Sequence, residues 1–311
     1  MKNKKKLISL IILIFLAVVG VASYSSKRVD GIAGKKIANI VVFGDSLSDN
    51  GNTYKKSLEM LPDHETWYDG RFSNSKVWVE YLCQYSNDKS CKLIDNAYGG
   101  AYSKDGYQKF DINGKTVFKV VTNFLQQVEN FTATNKKYNP ATTLYVMDIG
   151  GNDIMDLKDD YKNIANNIKK AIDLLVKKDK AQHFIILNLP DFSKAPRYFK
   201  SSDFKRKKVH EKVVNINKQI FGVAYSFKKQ GIDIKVINFY GLLNNLLDKK
   251  KYIKDKSCLE IPIKTDKLNF LISYDKRKSC KKNESKYIFH DNLHPTNMVH
   301  KKLAKLASMS F

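Results

Sequence analysis

The chain has 311 residues and a formal net charge of +24, with 55 lysines and arginines against 31 aspartates and glutamates. That length suffices for one large domain with a sizeable core, and no Pro/Gly/Ser-rich linker or internal repeat divides it. The basic residues are scattered through almost every segment without a zinc-finger or RNA-binding pattern, which argues against nucleic acid and leaves a solvated basic surface or attraction to anionic lipid.

The N-terminus reads as a targeting segment. Lys2, Lys4, Lys5 and Lys6 precede an apolar run from Leu7 to Ala22, and Gly20, Ala22 and Ser23 offer a small-residue cleavage step. This is the layout of a secretory signal peptide over residues 1–23, followed by a single domain over 24–311. An uncleaved anchor is the alternative, although the run is shorter than the ~20 residues a membrane span needs. The expectation is an exported protein, secreted or held in the periplasm or at the outer surface. Four cysteines fit an oxidising compartment. Three pairings are open, of which the local ones, Cys83 with Cys91 and Cys258 with Cys280, are the simplest.

Along the chain, strand-like apolar runs alternate with helix-like periodic segments. Residues 37–43 read as a strand, 76–85 as an amphipathic helix, 93–97 as a short strand, 118–131 as a helix and 143–149 as another strand. A helix over 160–178, a strand over 183–189, a long helix over 204–229, a strand over 234–239 and a last helix over 297–308 complete the pattern. Such alternation predicts an α/β fold with a mainly parallel sheet covered on both faces. Residues 250–288 are Lys-rich, hold the Cys258/Cys280 pair and read as a surface excursion.

Several of these segments end in chemistry-bearing residues. The first strand runs into Gly44-Asp45-Ser46-Leu47, where a sharp turn would lift a serine to the carboxyl end of the strand, the edge at which ligands gather in α/β sheets. A later strand ends at Ala97-Tyr98-Gly99-Gly100-Ala101, and the next at Gly150-Gly151-Asn152-Asp153. Asp291-Asn292-Leu293-His294-Pro295 lies just before the last helix. A serine hydroxyl is inert at neutral pH and needs a base, an orienting acid and donors for the oxyanion. Ser46 supplies the nucleophile, His294 the general base and then acid, and Asp291 the group that holds the imidazole. The backbone N–H groups of Ser46 and Gly100 and the Asn152 amide supply the oxyanion donors. Each motif alone is also an ordinary turn, strand end or helix cap; the set in this order is the signal.

That order resembles the GDSL family of serine esterases and lipases, also called SGNH hydrolases, whose blocks contribute Ser, Gly, Asn and His. The matching positions are Ser46, Gly100, Asn152 and His294 with Asp291, and the likeness runs from about residue 37 to 309. Gly70-Arg71-Phe72-Ser73-Asn74 and Ser48-Asp49-Asn50-Gly51-Asn52 are most similar to the bacterial phospholipase A/lysophospholipase and glycerophospholipid:cholesterol acyltransferase branch. The α/β-hydrolase elbow Gly-x-Ser-x-Gly is absent around Ser46, where position 48 is serine. The resemblance implies a three-layer α/β/α sandwich with a flavodoxin-like sheet and ester hydrolysis without metal or other cofactor. It also implies phospholipid or lysophospholipid substrates, with a sterol or another alcohol as a further acyl acceptor and peripheral contact with an anionic membrane surface. A carbohydrate or aryl esterase on the same fold is the rival enzyme, and a basic lipid-surface binding module the non-enzymatic rival. Two further expectations are that the Cys258–Cys280 segment is a lid or a stapled insertion, and that His64, Trp67 and Tyr68 line the substrate entrance. His183, His210, His290 and His300 have no metal-ligand spacing.

Overall fold

A computed structural model describes residues 34, 36–112, 115–134, 138–156, 159–262 and 267–311. The predicted leader, residues 1–23, lies outside the described residues. Among those described, no helix is long and apolar enough to cross a membrane.

Five strands, β1 (Asn39–Gly44), β2 (Lys92–Asp95), β5 (Thr143–Asp148), β6 (His183–Leu187) and β7 (Asp233–Ile237), form one sheet in the order β2-β1-β5-β6-β7. Every pairing is parallel. Counting only these strands, the order is that of flavodoxin-like sheets, and it reverses between β1 and β5. The strands are buried on both sides because successive residues face opposite layers. Val41, Phe43, Tyr145, Met147, Phe184 and Ile186 join one core cluster, and Ile40, Val42, Leu144, Val146, Ile185 and Leu187 the other.

On the first face lie α2 (Phe124–Ala133), α4 (Ile164–Asp179) and α5 (Asp203–Lys229), each giving a buried stripe such as Ile168, Ile172 and Leu175. On the second lie a 3₁₀ helix over Trp78–Tyr85, α6 (Phe239–Leu247) and α8 (Asn297–Ser308), with Trp78, Leu82, Leu243, Leu246, Val299 and Leu303 in the core. The result is an α/β/α sandwich. Two short helices, α1 (Asn52–Lys56) and α3 (Gly151–Met155), follow β1 and β5 directly, and α7 (Lys278–Asn283) carries Cys280.

Three segments differ from the sequence expectation. Residues 118–122 continue a strand, β4 (Lys115–Thr122), which pairs antiparallel with β3 (Tyr107–Ile112), and the helix starts only at Phe124. Val121 and Thr122 pair across to Gln108 and Tyr107, while helical spacing survives from Phe124 through Val128 and Phe131. Trp78–Tyr85 winds as 3₁₀, its first turn closed by the Glu80 carboxylate on the Val77 N–H at 2.9 Å. Phe239 opens α6 rather than ending β7, because the Asn238 side chain accepts the Gly241 N–H at 2.8 Å and caps the turn.

Both local cysteine pairs are joined, Cys83 to Cys91 and Cys258 to Cys280. The second closes a segment that is more than a surface excursion. Cys258, Leu259, Cys280 and Tyr287 are fully buried, and Leu259 and Ile261 pack with Phe270 and Tyr274 around Trp67. The indole gives the apolar residues of this Lys-rich stretch a common surface to pack on.

Candidate active site

At the carboxyl edge of the sheet, where the strand order reverses, the chain leaves β1 through Gly44 and turns at once. Gly44 is required by close approach: a Cβ there would stand 2.3 Å from Asp148 Oδ1 and 2.6 Å from the Asp148 carbonyl. The buried Gln127 amide satisfies both polar groups of Gly44, accepting its N–H and donating to its carbonyl, each at 2.9 Å. The Asp45 N–H donates to Asp148 Oδ1 at 3.2 Å and the Leu47 N–H to Asp45 Oδ1 at 3.1 Å. Between them Ser46 is held at the mouth of a cleft of about 370 Å³.

Asp49 ties this turn to the glycine loop. Its carboxylate accepts the N–H groups of Gly51, Asn52 and Thr53 and, from across the edge, that of Gly99 at 2.8 Å. The Gly99 N–H also meets the Thr53 hydroxyl, so it is committed to scaffolding. The next N–H, that of Gly100, makes no hydrogen bond among the described residues, and neither does that of Ser46. Gly100 lies at φ +82°, where an L side chain is strained. These contacts give a physical reason to prefer Gly100 over Gly99 as the donor. Asn152, on α3, spends one amide N–H on the Ala101 carbonyl at 2.9 Å. All three donors border the same cleft.

The C-terminal loop brings the other half. His294 Nε2 is 2.8 Å from Ser46 Oγ, and Nδ1 is 2.7 Å from Asp291 Oδ2. All three residues are buried. Asp291 also accepts the N–H groups of Leu293 and His294 on Oδ1, at 2.8 and 2.7 Å, and the Trp67 indole N–H on Oδ2 at 2.9 Å. Burial alone would raise the Asp291 carboxyl; the charge and hydrogen bonds of the facing His294, with His290 beside it, outweigh burial and hold the group well below the usual carboxylate range. Thr296 occupies the N-cap position of α8, but its hydroxyl donates to the Tyr287 carbonyl, and the Asn74 side chain accepts the Asn297 N–H instead.

Behind the serine lie buried acids. Burial raises Asp148 to about 7, against the donors Ser48, Asp45 N–H and Trp78. Burial and the neighbouring Asp148 push Asp45 up as well. His290, whose Nε2 faces the Thr66 carbonyl at 3.0 Å, is driven down to about 4 by burial. A neutral imidazole therefore sits next to the acid–base pair.

The cleft runs between two walls. Phe72 and Phe270 border it on the histidine side, 5.2 and 5.9 Å from the His294 ring, and Leu61 also lines it. Val120, Val121 and Gln108 of the β3–β4 hairpin border it on the other side. The hairpin is hooked to the oxyanion loop, with Gln108 Nε2 donating to the Gly100 carbonyl at 2.6 Å and to Asn123 Oδ1 at 3.0 Å. Arg197, Asp156 and Lys109 add charge along the rim. Of the expected entrance residues, His64 and Tyr68 do not border the cleft, and Trp67 lies fully buried behind Asp291. Sequence reasoning missed Gln127, Asp49 and the hairpin.

A sheet edge that lines up a hydroxyl, an imidazole and a carboxylate beside uncommitted N–H donors is the layout of an ester hydrolase. The chain belongs to the GDSL-like lipase/acylhydrolase family, whose profile matches residues 40–307. It is 28% identical over 275 residues to the thermolabile hemolysin of Vibrio parahaemolyticus, covering 87% of this chain and 63% of that protein. It is 30% identical over 186 residues to the phosphatidylcholine-sterol acyltransferase of Aeromonas hydrophila, covering 58% of this chain and 52% of that one. The chain thus spans half to two thirds of the length of these relatives. Among solved structures, phospholipase A1 from Streptomyces albidoflavus aligns with a TM-score of 0.46 at 14% identity, covering 88% of this chain and 98% of that one.

Proposed function

We propose that the protein is an exported serine hydrolase that deacylates phospholipids or lysophospholipids through an acyl-enzyme on Ser46. The observation that carries this reading is the continuous line Ser46 Oγ–His294–Asp291, 2.8 and 2.7 Å per link, opening on an apolar cleft. Ser46 Oγ attacks the ester carbonyl while His294 Nε2 takes its proton. The negative charge that forms on the carbonyl oxygen is met by the N–H groups of Ser46 and Gly100 and the Asn152 amide. Collapse expels the alcohol, the lysophospholipid or glycerophosphodiester, which leaves with the proton from His294. A water molecule or a second alcohol then attacks the acyl-enzyme, its proton goes to His294, and Ser46 is restored. Asp291, ionised throughout, holds the Nδ1–H tautomer and stabilises the imidazolium.

Leu61, Phe72, Val120, Val121 and Phe270 suit an acyl chain, and Arg197 and Lys109 at the rim suit a phosphate. Likeness to a sterol acyltransferase supports an alcohol as an alternative to water in the second step. The two disulfides and the signal-peptide pattern at 1–23 support export, with residues 24–311 as one hydrolase domain. The test is fatty-acid release from a lysophospholipid, with and without cholesterol, by the wild type and Ser46→Ala. Release that disappears in the variant supports the reading. An intact substrate in both overturns it.

A further inference from the structure

The Trp67 indole is fully buried, yet its one polar atom is not spent on the nearest backbone carbonyl. It points at the carboxylate that the proposed mechanism keeps ionised, 2.9 Å from Asp291 Oδ2 and 224 residues away in sequence. The same oxygen faces His294 Nδ1. The indole is set by the disulfide-closed segment: Phe270 lies 5.1 Å from its ring, Tyr274 meets it edge-on at 6.2 Å, and Leu259 and Ile261 complete the cage. The Tyr274 N–H donates to the Thr66 hydroxyl at 2.9 Å, and the Asp63 N–H to the Phe270 carbonyl at 2.7 Å, so the backbone on either side of Trp67 is pinned to that segment.

We infer that Trp67 is a positioning residue for the acid–base pair, its indole N–H holding the Asp291 carboxylate in the plane that faces His294. A carboxylate has room for several donors on each oxygen. With Oδ1 taken by the Leu293 and His294 N–H groups, the indole fixes the plane of Oδ2 and leaves one direction for the imidazole. It also draws off part of the carboxylate's charge, which moderates how strongly Asp291 stabilises the imidazolium. The other charged or titratable groups facing the pair are Asp45 from the nucleophile turn, His290 from the same loop, the buried His300 of α8, and Arg197 and Asp156 along the cleft. Removing the indole N–H alters none of them.

The inference rests on the acid–base assignment of the preceding section, so its test needs one readout with turnover and one without. Trp67→Phe keeps an aromatic ring in the cage and deletes the donor, while Tyr274→Leu loosens the cage and keeps the donor. With a soluble aryl ester as probe, Trp67→Phe is expected to lose about 10-fold in kcat with KM within about 2-fold. The acid limb of its kcat/KM profile is expected to move up by about half a unit to one unit, as the less-bonded carboxylate holds the imidazolium more tightly. Tyr274→Leu is expected to lower Tm with the limb in place. Without turnover, the low-field Nδ1 proton resonance of His294 is expected to shift in Trp67→Phe and to stay in Tyr274→Leu. If the two variants behave alike, or if folded Trp67→Phe keeps both limb and resonance, the inference fails. If the wild type has no Ser46-dependent turnover, the esterase reading fails, while the resonance still decides whether the indole governs the Asp291–His294 bond.

Discussion

The two halves of the site are built on opposite principles. Around Asp291 and His294, the carboxylate is saturated: four N–H groups converge on it, and aromatic rings close over the imidazole. Around Ser46, Gly100 and Asn152, neighbouring groups are satisfied while the N–H groups facing the cleft are left without acceptors. The difference follows from when charge is present. Asp291 is charged at all times, so its partners can be in place from the start. The oxyanion exists only in the transition state, so donors that wait for it must avoid competing partners and still be held rigidly. Asp49 and Gln127 do that holding.

The largest effect should come from cutting the permanent half. His294→Ala is expected to lower kcat by at least about 10⁴-fold, measured with an aryl ester, whereas Asn152→Ala should cost about 10²–10³-fold because two backbone donors remain. Equal losses would break the distinction between an indispensable relay and a shared set of donors. Next in size is the staple behind the histidine wall. Cys258→Ser with Cys280→Ser should lower unfolding free energy by about 3 kcal/mol for a loop of this length, read by denaturant titration.

Of similar size is the pH response of the same region. His290 is held down at about 4 when folded and returns to its ordinary range when unfolded, so between these values the unfolded chain binds the extra proton. Stability is therefore lost as pH falls from about 6.5 toward 4, by about 3 kcal/mol for this group, and His290→Gln should flatten that slope in thermal melts at stepped pH. The smallest effect is expected on the hairpin wall. Gln108→Ala removes one hook on the Gly100 carbonyl and should change kcat by a few-fold at most, with larger shifts among substrates of different acyl length. A loss as large as that of Asn152→Ala would show that the hairpin is part of the oxyanion machinery rather than a neighbour of it.

The residues that could be read from sequence are those whose role is written locally. Ser46, Gly100 and Asn152 each follow a strand and a glycine, and Asp291 stands three residues from His294, so their positions pointed to one edge of a parallel sheet, and the family resemblance selected Gly100 over Gly99. Trp67 and Gln127 act through contacts with residues far away in the chain, such as Gln127 with Gly44, 83 positions apart, and nothing in their own neighbourhood announces this. The hairpin had a cue that went unused: the Asn-Gly dipeptide at 113–114 is a strong hairpin signal in sequence. The stapled segment misled for a different reason. Its lysines drew the eye, while its apolar residues pack around an indole from residue 67, far away in the chain.

The central claim is that Ser46 carries the acyl group, and its most direct test is a fluorophosphonate probe followed by peptide mapping. The account predicts one adduct per chain on Ser46, absent in Ser46→Ala and strongly slowed in His294→Ala. A label on another serine such as Ser48 or Ser103, or no label on the folded wild type, would contradict it.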